Sequence, residues 1–137
     1  MDKKEQIKWL EERGFRSIDY IRNSETWQRT YIHKTYRTEA PEEEYLCSVQ
    51  AEVTSTAPGW LATVRILVTL YIGGARLEAA SISYRTRSPH CTLQEALREC
   101  FTEIPDKYPN PVIRDELECC PLLYDVDEYL NKEKGDA

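Results

Sequence analysis

The residues in this chain best able to do chemistry are its two histidines and five cysteines. Cys91 follows His90 and stands just ahead of a helix start signal, where the helix dipole favours a thiolate. Cys91 or Cys119 as nucleophile, with His90 or His33 as base, would make a Cys-His pair of the kind that activates a thiol. A zinc site asks for ligands spaced as in C-x2-C, and neither His90-Cys91 nor Cys119-Cys120 has that spacing. Adjacent side chains in extended backbone point apart, so no metal and no cofactor is expected. Gly73-Gly74 joins two strand-like runs and opens no helix, so it is not a phosphate cradle. Glu11-Glu12 and Glu43-Glu44 are adjacent acids, which read as solvated faces.

Charge gives a second set of candidates. The formal net charge is -6, which argues against a general polyanion binder. The excess is local: residues 115 to 137 hold eight acids against Lys132 and Lys134, and the preceding 114 residues balance 16 against 16. Within that balanced body, Arg65, Arg76, Arg85 and Arg87 face only Glu78 between positions 65 and 87. These four arginines are one candidate binding set. The acidic segment is the other, with Leu123, Asp127 and Tyr129 as the residues of a helical stripe that could dock in a partner groove. The same stripe could instead pack at home, which is what apolar stripes usually do.

The elements that must position these residues follow from periodicity. Lys3 to Arg13 reads as a short amphipathic helix closed by Gly14. Phe15 to Ile21 has no clean period and is left unassigned. Arg29 to Tyr36 is rich in Thr and Tyr and leans to a strand. Tyr45 to Thr54 alternates apolar and polar, Trp60 to Ile72 is apolar on one face and mixed on the other, and Arg76 to Thr86 returns after the Gly73-Gly74 turn. Thr92-Leu93-Gln94-Glu95 has the form of a capping box. After it Leu93, Ala96, Leu97, Cys100, Phe101 and Ile104 make one stripe, and Pro105 is expected to stop the helix. Residues 105 to 111 read as a stiff loop, Val112 to Cys120 as a further helical turn or two, and Leu122 to Leu130 as a helical stripe.

The fold class predicted is α+β: an antiparallel meander of three or four strands with helices packed on one face, in an α-β-β-β-α-like order. Residues 1 to 130 form a single domain, and 131 to 137 a frayed acidic end. The order of helix, three strands and helix is similar to that of the double-stranded RNA-binding domain. In that family a Lys-rich start to the second helix contacts phosphates, and the corresponding Thr92, Gln94, Glu95, Arg98 and Glu99 are mostly neutral or acidic. The Gly-Pro-x-His turn is also absent, with Pro58-Gly59 its nearest remnant.

The function expected is therefore a non-enzymatic protein-interaction module, with a nucleic-acid-binding domain as the alternative and a small thiol-dependent enzyme third. A protein partner is expected, a homodimer by strand addition is open, and no membrane association is foreseen. No secretory leader is visible at Met1-Asp2-Lys3-Lys4, and an odd number of cysteines cannot all pair within one chain. An intracellular site, cytoplasmic or nuclear, follows from both.

Overall fold

A computed structural model describes residues 2–18, 25–37 and 43–135. In chain order the elements are α1 (Lys3–Glu12), β1 (Arg16–Ile18), β2 (Glu25–Arg37), β3 (Glu43–Ser55), β4 (Trp60–Ile72), β5 (Ala75–Arg85), α2 (Leu93–Lys107), α3 (Pro111–Glu118) and α4 (Pro121–Gly135). The strands make one antiparallel sheet in sequence order, β1-β2-β3-β4-β5. The α+β meander is thus present, with five strands rather than three or four. The added strand is β1, whose three residues pair with Thr26 to Gln28.

Alternation along the strands divides the sheet into an inner and an outer face. Cys47, Val49, Ala51 and Val53 of β3 pair with Val68, Ile66, Val64 and Ala62 of β4, and all eight are buried. Trp27 and Tyr31 of β2 and Tyr84 of β5 extend the same inner face. α2 lies on β4 and its neighbours, α3 touches β3, and α4 packs on α2. Leu93, Leu97 and Ile104 of α2 are fully buried, each contributing about 1.5 to 3 kcal/mol. The same core takes in Trp9 and Leu10 of α1 and Leu122 and Val126 of α4.

Local signals explain the joints. Gly73 and Gly74 both have positive φ, 55° and 86°, the conformation that a two-residue hairpin between twisted strands requires. Gly59 is needed for a different reason. A Cβ there would lie 2.4 Å from the His90 carbonyl oxygen, because Trp60 and His90 exchange two backbone hydrogen bonds of 2.8 and 2.9 Å beside it. That bridge ties the segment before α2 to the start of β4. The N-terminus of α2 is capped twice: Thr92 Oγ1 accepts from the Glu95 N–H at 3.2 Å, and Gln6 Oε1 of α1 accepts from the Leu93 N–H at 2.8 Å.

Pro105 does not stop α2, which continues to Lys107. Proline removes a single backbone donor in the last turn, and the Tyr108 N–H closes that turn on the Ile104 carbonyl at 2.9 Å. The expected loop at 105 to 111 is accordingly reduced to Tyr108, Pro109 and Asn110. Pro111 then takes the first position of α3, where a missing N–H costs nothing.

Candidate functional site

No helix among the described residues lies on the outer face of the sheet, and strand register arranges that face in rows. One row runs Arg16, Gln28, Glu52, Thr63 and Arg85 across all five strands. The next runs Thr30, Gln50, Arg65 and Ser83, and the one after it Ile32, Ser48, Leu67 and Ser81. Arg65 and Arg85 are therefore diagonal neighbours on adjacent strands, about 8 Å apart at Cα by the usual strand spacing and rise. Both are exposed, and Ile32 is 73% exposed on the same face.

Pairing of charge differs between the two sides of the molecule. Lys3–Glu25, Lys8–Glu12, Arg13–Asp125, Arg98–Asp127 and Lys132–Glu128 are ion pairs that each involve a side chain of a helix or its cap. Arg16, Arg65, Arg76, Arg85 and Arg87 join no ion pair among the described residues. Arg65 donates to Gln50 Oε1 at 3.2 Å. Arg76 is exposed beside the β4–β5 turn, opposite Tyr71. Arg87 lies past the end of β5, and its backbone N–H is held by Glu99 at 3.1 Å. The register thus brings Arg65 and Arg85 together and leaves Arg76 and Arg87 at opposite ends of β5.

Glu99 is the centre of the other polar cluster. Its carboxylate accepts from Tyr84 Oη at 2.7 Å, from His90 Nε2 at 2.8 Å and from the Arg87 N–H. A carboxylate is acceptor-only, so this bond places the His90 proton on Nε2. Burial opposes the charge on Glu99, but the hydrogen bonds from His90, Tyr84 and Arg87 outweigh it and hold its pKa below the ordinary carboxylate value. Burial, and then the bond to Glu99, push Tyr84 up to about 12. Lys107 sits over the Tyr84 ring at 5.1 Å. The cluster fixes the segment between β5 and α2 from its helix side, opposite the Trp60–His90 bridge.

Cys91 is exposed next to this cluster, and no hydrogen bond joins its thiol to His90 among the described residues. Cys119 is also exposed, while Cys47, Cys100 and Cys120 are buried. The described residues contain no group of three His, Cys, Asp or Glu side chains that could hold a metal ion. The side chain of His33 lies outside the described residues.

The acidic segment is engaged with the rest of the chain. Leu123 and Tyr129 pack against the core, the Tyr129 ring stands edge-on to Trp9 at 6.3 Å, and Asp127 pairs with Arg98. Tyr124, 70% exposed, is the apolar residue that α4 turns outward.

The Glu99 arrangement gives a direct test of its role. Because its folded pKa lies below the unfolded value, its contribution is complete above the ordinary carboxyl pKa and is lost as pH falls through the folded pKa. Glu99→Gln is expected to cost about 1 to 3 kcal/mol at neutral pH. It should also flatten the decline of melting temperature with acidification below about pH 5. A variant with an unaltered acid limb would show that the hydrogen bonds to Glu99 do not contribute.

Comparison with protein-family models, with curated proteins and with solved structures finds no match to this chain. No helix among the described residues is long and apolar enough to cross a membrane.

Proposed function

We propose that this chain is a non-enzymatic protein-interaction module that presents the outer face of its sheet to an acidic surface of a partner. The observation that carries this reading is the set of arginines on that face, Arg16, Arg65 and Arg85 among them, that join no ion pair among the described residues, with an exposed Ile32 on the same face. Desolvating an apolar residue gives affinity, and guanidinium groups elsewhere on the same face steer and orient an acidic partner. Arg65 and Arg85 are the anchors, with Ile32 the apolar contact.

Two features favour the face over the edges. Both long edges carry a bulge: Ala79 is the extra residue between the Val68–Ala80 and Thr69–Glu78 pairs of β5. In β2 the register shifts between His33 and Tyr36. Bulged edges resist strand addition. Five free thiols, two of them exposed, suit a reducing intracellular compartment, cytoplasm or nucleus.

The test is capture of binding proteins by three versions of the chain: wild type, Arg65→Glu with Arg85→Glu, and Tyr124→Ser on the helical side. Proteins held by wild type and Tyr124→Ser but lost from the double variant, at equal melting temperature, are the expected result. Equal capture by all three overturns the open face as the contact surface. Binding of wild type to duplex RNA or DNA at about 50 mM salt, gone by about 200 mM, would assign the arginines to phosphates instead.

A further inference from the structure

Two glutamines are enclosed near the start of α2, Gln6 of α1 and Gln94 of α2 itself, at 1% and 0% exposure. Gln6 uses both ends of its amide: Oε1 accepts from the Leu93 N–H at 2.8 Å, and Nε2 donates to Tyr129 Oη at 3.3 Å. Gln94 uses neither end. Its Oε1 and Nε2 are both shut off from solvent, and no hydrogen-bond partner among the described residues reaches either atom. A buried amide normally finds partners, so this one needs a physical account.

Helix geometry identifies what covers Gln94. It stands one turn before Arg98 on the same side of α2, and Arg98 pairs with Asp127 of α4. α4, which packs on α2, is therefore the element that closes over it. An amide buried without partners disfavours the closed arrangement, because water satisfies both of its atoms once α4 lifts away. Against that, the burial of Leu122 and Val126 holds α4 down. The ion pairs of α4 with Arg13 and Arg98 are partly exposed and hold it weakly. α4 belongs to no strand ladder, so it can lift without unpairing the sheet.

We propose that α4 is a latch that opens from α2 as a unit while the sheet stays folded, and that the unpartnered Gln94 amide sets how often it does so. The closed state dominates, and the open one is a minor native state reached below the threshold of global unfolding. Opening hydrates Gln94, parts Tyr129 from Gln6, and brings Leu122 and Val126 to the surface, where the closed state conceals them. The inference stands apart from the open-face reading, since it does not use Arg65, Arg85 or Ile32.

The experiment is amide hydrogen exchange of the full chain, followed by NMR, in wild type and in Gln94→Met. Methionine keeps an unbranched side chain of similar length and removes the amide. In wild type the amides from Tyr124 to Asn131 are expected to share one protection factor, at least about tenfold below that of Val49 and Ile66 in the middle of the sheet. Gln94→Met should raise the α4 protection about tenfold. Gln94→Leu is the second variant and should act in the same direction. Equal protection of α4 and the sheet, or protection that only grades away toward Gly135 as in fraying, overturns the latch. Protection of α4 that is unchanged or lower in both variants overturns the role of Gln94.

Discussion

Truncation after Cys120, which removes α4, is expected to lower the melting temperature by about 10 to 20 °C. Leu122 and Val126 are wholly buried, and their loss alone removes about 3 to 6 kcal/mol of burial. A domain of this size holds roughly 5 to 15 kcal/mol in total. The deletion also uncovers the α2 surface on which α4 packs and takes away Tyr129, against which Trp9 stands and to which Gln6 Nε2 donates at 3.3 Å. Gln6 is the residue that also caps α2 through the Leu93 N–H, so the damage passes to a second helix. The ion pairs lost, Arg13–Asp125 and Arg98–Asp127, are partly exposed and add at most about 1 kcal/mol each. Thermal melts of the two chains decide the matter. An unchanged melt would mean that the α4 stripe is not needed by the domain and is free for a partner.

The contrast between α4 and the open face shows where the sequence was readable. β4 and α2 were legible because each carries its own period over a dozen residues: alternation from Trp60 to Ile72, and a helical stripe from Leu93 to Ile104. β1 was not, since Arg16 and Ser17 are exposed and only their pairing with Gln28 and Trp27 makes them a strand. Gln6 looks like any polar residue of an amphipathic helix, and its acceptor role depends on a backbone donor 87 positions away. Glu99 belongs to the charged side of α2 in sequence, yet the fold gathers Tyr84, His90 and the Arg87 N–H around it. The phase that puts Arg65 outward was legible from alternation, and its nearness to Arg85 required the register. Pro105 misled because a proline rule for helix interiors was applied to a last turn, where the cost is one hydrogen bond.

Alkali is expected to unfold this protein between about pH 10 and 12, with stability already falling from about pH 9. Four buried acids of high intrinsic pKa set this limit. Burial, and then the Glu116 carboxylate, push Cys47 up to about 12, and burial followed by Glu99 does the same to Cys100. Tyr31 and Tyr84 are also pushed up to about 12, in both cases chiefly by burial. In the unfolded chain the two thiols lose their protons near 9 and the two phenols near 10. Between those values and 12 the folded state therefore binds more protons than the unfolded one, and stability declines as pH rises. Each group costs about 1.4 kcal/mol per pH unit once ionised in the unfolded chain. By about pH 11 the sum is on the order of 5 kcal/mol or more, which is comparable with the whole stability of an ordinary domain. The buried phenols cannot ionise ahead of the fold, so the share of tyrosinate absorbance that Tyr31 and Tyr84 contribute should rise in a cooperative step that coincides with loss of far-ultraviolet circular dichroism. Cys47→Ala with Cys100→Ala removes the thiol share and should shift the midpoint upward by a fraction of a pH unit relative to a parent of matched stability. A melting temperature that stays level from pH 8 to about 11 would show that these four groups are not held out of water.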